Sequence, residues 1–244
     1  MNLKFQKGNA KLDNFPGAKI YTFSILSGWS CPFAKECLSK AHKNPDTGKR
    51  HIEDGADIEF RCFSASQEAQ YPNVYAARAH NFDLLRAAKS TENMVELIEE
   101  SLPKKASIVR LHVAGDFFNQ RYFDAWNQVA VNNPDVIFYA YTKSLVYWTK
   151  RIDDIADNFV LTASRGGRLD GLISEHDLRE ARVVFSEAEA EALGYEIDHD
   201  ETHAVKHGPS FALLLHGKQP AGSEAGKALE KLKKKGKTGY SKKN

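Results

Sequence analysis

Cysteine is scarce in this chain: Cys31, Cys37 and Cys62 are the three in 244 residues. An odd, small number gives no disulfide framework of the kind small secreted domains carry. Long apolar runs are missing too. The longest are short, as in Phe211-Ala-Leu-Leu-Leu215, far below the ~18 residues a membrane span needs. The N-terminal Met-Asn-Leu-Lys-Phe-Gln-Lys-Gly has no apolar stretch of the signal-peptide type, so the expected location is the cytoplasm. Aromatics are not scarce. At 11% of residues, with 42% hydrophobic and 27% charged, they exclude a chain disordered throughout.

Net charge is also small, at +2, but it is uneven. Residues 227–244 hold eight lysines against one carboxylate, Glu230, so the preceding 226 residues are net acidic. The reading is one α/β domain over 1–226 and a basic, flexible tail over 227–244. Such a tail suits a solvated end or an arm for nucleic-acid phosphates.

Six apolar runs rich in β-branched and aromatic residues predict strands: 20–26, 108–114, 136–142, 159–163, 181–185 and 211–216. Helical patterns lie between them at 67–89, 91–102 (Thr91 as N-cap), 119–132, 148–156 and 187–193. Alternation of this kind implies βαβ units and a largely parallel sheet. An open or partial (β/α)6 barrel fits six strands, and a doubly wound sheet is the alternative. Both place ligands at the carboxyl ends of the strands.

Candidate chemistry sits at those ends. After the first strand come Cys31 and Cys37, and Cys62 follows within 32 residues of Cys31. Thiolates are soft ligands for zinc, copper and iron–sulfur clusters. Three are one short of a closed zinc site, which a histidine would complete, and suit a [4Fe–4S] cluster with one open iron. Gly115 after the second strand lets a ligand near the backbone. Asp116 beside it suits an ammonium, a hydroxyl, a metal or a helix cap. Lys143 follows the third strand and His216 ends the sixth. Arg165 and Arg168 flank two glycines and suit a carboxylate or phosphate. His199, His203 and His207 stand at helical spacing and offer a rival metal set for a hydrolase, although Gly208-Pro209 follows at once. A second class is a metal-stapled nucleic-acid-binding protein using the basic tail and the Arg165–Arg168 loop. A rolling-circle initiator is a narrower version, but Leu111-His112-Val113 holds one histidine where that class pairs two.

The segments SGWSCPFAKECLS, RCFSASQEA, VRLHVAGDFF, FYAYTKS and DHDETHAVKHGPSFALLLHGKQPAGSEA resemble the bacteriophage gene product 88 family from about Thr22 to Ala225. A phage origin implies the host cytoplasm as location. The strand order and cysteine position also resemble the radical S-adenosylmethionine enzymes, which carry a three-cysteine [4Fe–4S] loop after the first strand of a partial (β/α)6 barrel. That resemblance implies a [4Fe–4S] cluster on Cys31, Cys37 and Cys62, with S-adenosylmethionine on the open iron. It implies Gly115 and Asp116 at the cofactor's ammonium, Arg165 or Arg168 at its carboxylate, and Lys143 and His216 facing an unknown substrate. The spacing here is C-x5-C-x24-C in place of C-x3-C-x2-C, so 41–59 must loop out. An aromatic residue, Phe63, follows the third cysteine where that superfamily has one before it.

Overall fold

A computed structural model describes residues 2–8 and 15–236. The main sheet has seven strands: β1 (Phe5–Lys7), β2 (Ile20–Phe23), β5 (Ile108–Leu111), β6 (Ile137–Thr142), β7 (Phe159–Ser164), β8 (Glu180–Val184) and β9 (Phe211–Leu214). They lie side by side in chain order. β1 runs antiparallel to β2 and every other pairing is parallel. All six expected strands are present, four of them shorter, β7 one residue longer and β8 shifted by one residue. The doubly wound alternative fails, because its strand order reverses at a switch point and this one does not. No pairing among the described residues closes the sheet into a barrel. The fold is mixed α/β with a mostly parallel seven-stranded sheet.

Strand side chains alternate between two buried faces, as parallel sheets require. Val109, Leu111, Phe138, Ala140, Phe159 and Leu161 face one side. There they meet α2 (Pro72–Ala87), α3 (Thr91–Ser101) and α4 (Gln120–Asn132). The expected aromatic face of α4 is buried throughout: Tyr122, Phe123, Trp126 and Val129. Trp126 lies among Phe5, Phe23, Tyr122 and Phe138, at centroid distances of 6.4, 5.3, 6.5 and 6.0 Å. Asn119 caps α4 by accepting the Tyr122 N–H at 2.9 Å. Ser90, rather than Thr91, caps α3.

The opposite face carries Ile108, Tyr139, Val160, Ala181 and Phe211. It is covered by the segment around Ala204 and Val205. Glu201 of that segment is buried, pairs with Arg110, and accepts the Tyr139 hydroxyl at 2.8 Å. The second face of the sheet is therefore covered by the chain itself.

Three further features were not in the sequence pattern. The segment 41–59, expected to loop out, instead supplies most of a hairpin of β3 (Ser39–Lys43) and β4 (Arg50–Asp54). The segment expected as one helix from 67 is two, α1 (Phe63–Gln70) and α2, because Pro72 cannot continue the first. Residues 224–234 form α8 (Glu224–Lys234), with Ala225, Leu229 and Leu232 packed against Val184, Ala212 and Leu214. This corrects the expected tail: residues 227–236 belong to the α/β unit, and 237–244 lie outside the described residues. Shorter helices complete the frame: α5 (Leu145–Thr149), α6 (Gly171–Glu175) and α7 (Glu187–Ala192).

If α8 is part of the fold, Leu229→Ala costs about 2–5 kcal/mol, the range for a large-to-small core change. Lys231→Ala on its outer side stays within about 0.5 kcal/mol. Urea unfolding of the two variants measures the contrast; equal effects would sever α8 from the core.

Candidate functional site: three cysteines at the strand ends

The first cysteine loop leaves β2 through a left-handed Gly28, φ 72°. A Cβ at Gly28 would stand 2.3 Å from the Ser39 carbonyl, so only glycine permits this contact with the hairpin. The Gly28 N–H donates to Cys31 Sγ at 3.3 Å. Further along, Ala34 bridges Gly167, the Arg168 N–H donates to the Phe33 carbonyl at 2.9 Å, and the Glu36 N–H donates to the Gly166 carbonyl at 3.1 Å. The loop is thus stitched to the end of β7.

Cys62 stands at the N-cap of α1, where unpaired N–H groups gather. The nearby N–H groups of Ala65 and Ser64 favour its charged form, but its side chain accepts no capping hydrogen bond. Its own N–H donates to Ser39 Oγ at 3.2 Å. Gln219 clamps the preceding residue: the Arg61 N–H donates to Oε1 at 2.8 Å, and Nε2 donates to the Arg61 carbonyl at 3.1 Å. Phe63 packs edge-on against His216 with centroids 5.0 Å apart. The end of β9 therefore fixes the third cysteine.

The three half-buried thiols feel one another. Burial raises Cys31 well above the usual thiol value, and negative charge on Asp116, Cys62 and Cys37 raises it further. Burial, then Cys37, pushes Cys62 up to about 11. Burial keeps Cys31 and Cys62 as neutral thiols, and a bound cation would favour their thiolate forms. Among the described residues, no three His, Cys, Asp or Glu side chains converge closely enough for a single metal ion.

The strand-end residues are all near this loop, but most already have partners. Gly115, at φ 88°, makes room for protein rather than ligand. A Cβ there would meet Ile25 at 2.4 Å and Ser30 Oγ at 2.6 Å. Asp116 is 5% exposed and does not cap α4. Its carboxyl accepts the Thr142 hydroxyl at 2.6 Å and the N–H groups of Phe117 and Lys143 at 2.7 and 2.8 Å. Burial still raises it to about 6. Lys143 Nζ donates to the Ser164 carbonyl, Ser164 Oγ and the Arg165 carbonyl, each at 2.8 Å, which uses all three protons. Arg165 pairs with Glu180 at 2.6 Å. Arg168 is exposed.

The rival histidine set does not assemble. Residues 198–207 form turns, not a helix. His203 Nε2 lies 3.0 Å from Glu196, and His207 Nε2 contacts the Asp157 carbonyl at 3.3 Å. His112 has a different oddity. It is a buried, non-glycine residue at φ 55°, with Nε2 3.0 Å from the Tyr122 hydroxyl. Burial lowers its pKa to about 3.

Sequence reasoning missed the support beneath the cysteines. Glu68 on α1 is fully buried, and its Oε1 accepts the Ser27 N–H and Arg78 Nη1, each at 3.0 Å. Burial raises the Glu68 carboxyl while Arg78 pulls it back. Pro72 was the available signal, because it breaks the helix between them and lets α2 turn back on α1.

A family model described as Gene product 88 matches residues 2–237. The chain belongs to the gene product 88 family. The Gene 88 protein of Mycobacterium phage L5 is 35% identical over 107 residues, covering 39% of this chain and 45% of that protein. The Gene 88 protein of Mycobacterium phage D29 is 34% identical over 90 residues, covering 34% and 38% respectively. The chain thus spans less than half the length of these curated relatives. No solved structure matches it. Among the described residues, no helix is long and apolar enough to cross a membrane.

Two measurements probe this family member's scaffold. His112 stays neutral in the fold below its ordinary value of 6.5, while the unfolded chain takes up a proton there. Stability therefore falls as pH drops from about 6.5 towards 3, by up to about 1.4 kcal/mol per unit from this group. His112→Asn, whose side chain tolerates positive φ, should flatten the urea-unfolding stability between pH 6 and pH 4 by that slope. Arg78→Met strands a buried Glu68 and should cost about 3–5 kcal/mol at neutral pH, the range for a broken buried pair. Its thermal unfolding against wild type reads the loss.

Proposed function

We propose that this protein is an iron–sulfur protein, with Cys31, Cys37 and Cys62 each binding a different iron of a [4Fe–4S] cluster and the fourth iron left open. The observation that carries this reading is the mutual electrostatic crowding of the three thiols at the strand ends. The Gly28 N–H aimed at Cys31 Sγ supports it independently, because such a donor suits a thiolate that carries charge.

When bound, such a cluster supplies one-electron transfer and an open iron that can take an amino or carboxylate ligand. The chain's own residues set that environment. Gln219 and Phe63 hold Cys62 in place, and the Gly166–Arg168 strip holds the Cys31–Cys37 loop. His216 reaches the rim of the site through Phe63.

Six parallel strands in chain order support the radical S-adenosylmethionine-like version of this reading. The side chains assigned to that cofactor and to its substrate do not. Asp116, Lys143 and Arg165 are satisfied by protein partners, and only Arg168 is exposed. The proposal therefore stops at the cluster.

Anaerobic reconstitution with iron and sulfide tests it. Iron and acid-labile sulfide should be retained in equal amounts, with visible charge-transfer absorbance and a paramagnetic signal after reduction. Cys31→Ser, Cys37→Ser and Cys62→Ser should each lose most of the iron while retaining the circular dichroism of the fold. Zinc without iron would move the protein to the metal-stapled class.

A further inference from the structure

We propose that the outer face of the β3–β4 hairpin, with Trp29 beside it, binds single-stranded nucleic acid. Trp29 is 44% exposed, whereas the other two tryptophans, Trp126 and Trp148, are buried. Its ring starts a row that crosses the hairpin. Trp29 and His42 lie edge to face at 4.9 Å, and His42 stacks on its cross-strand partner His51 at 5.3 Å and 16°. The Trp29 indole N–H donates to the Ala41 carbonyl at 3.1 Å, so the ring is fixed to the hairpin rather than swinging free.

Cations flank the row. Lys40 Nζ lies 4.9 Å from the Trp29 ring centroid, and Lys43 and Lys49 are exposed at the hairpin end. Glu53 is the cross-strand partner of Lys40 and lies 3.1 Å from His42, so it offsets one cation on the outer face. Arg50 turns behind the hairpin to the Ala69 carbonyl. The excess positive charge is that of Lys43 and Lys49 at the exposed hairpin end, on a net acidic body.

Exposed rings interleaved with lysines are the physical requirement for a single strand. Bases stack on aromatic faces without regard to sequence, and cations meet the phosphates. An acidic peptide would need the lysines but not the ring row. The proposal does not depend on the cluster, because none of these side chains is a cysteine ligand.

Titration of the full chain with a single-stranded oligothymidine tests it. Trp29, as the exposed indole, should be quenched saturably, and log affinity should fall linearly with log salt. Trp29→Leu should weaken binding about tenfold or more, followed by anisotropy of a labelled oligonucleotide. Because Trp29 neighbours the Cys31 loop, the exposed pair Lys43→Gln with Lys49→Gln gives a second reading: it should lower the salt slope by about one per lysine removed. Absence of binding overturns the proposal. So does polyglutamate competing as well as the oligonucleotide, or binding that survives the hairpin variants and is lost in Lys231→Gln with Lys233→Gln on α8.

Discussion

The carboxyl of Asp116 organises the ligand end of the sheet. It gathers the Thr142 hydroxyl and two backbone N–H groups, from Phe117 and Lys143, at a site almost closed to water. One buried side chain thereby joins the ends of β5 and β6. The Asp116 N–H reaches Ser30 Oγ at 3.4 Å, and Ser30 is locked by its bond to the Leu26 carbonyl at 2.6 Å, so the first cysteine loop is tied to the same point. Lys143 then extends the network to β7 through Ser164 and Arg165. Four consecutive loops share one chain of buried hydrogen bonds, where a missing partner costs more than a surface bond gains.

This network explains why the strand-end residues were legible as a group and misread one by one. Sequence position identified the loops that would meet, because parallel strands must deliver their carboxyl ends to one edge. It could not distinguish a side chain facing a ligand from one facing the next loop. Gly115 is the clearest case: glycine signals close approach, and here Ile25 and Ser30 do the approaching. The six central strands were legible because each carries a compact β-branched or aromatic run. β3 and β4 were not, since a lysine- and histidine-rich hairpin with one wet face has no apolar period to read. Its stability comes from α1 packed behind it and from bonds such as Arg50 Nε to the Ala69 carbonyl at 3.2 Å. α8 was hidden by its lysines, which obscured the spacing of Ala225, Leu229 and Leu232.

The cysteine site and the hairpin divide the same long insertion between them. Gly28 and Ser39 bring the start of β3 against the first cysteine loop, while Cys62 opens α1, the helix that follows β4. The wide C-x5-C-x24-C spacing is thus spanned by a folded element. The hairpin between the second and third cysteines also places its outer face beside the cysteine loops.

Gln219 has a consequence in time as well as in space. Its side chain closes a ring between positions 158 residues apart, and Phe63 rests on His216 in the same junction. A nascent chain presents all three thiols long before it contains the residues that set the third one in place. During synthesis from the N-terminus, the first cysteine loop waits for the Gly166–Arg168 strip, and Cys62 waits for Gln219. The three cysteines are framed together only after the last strand joins the sheet.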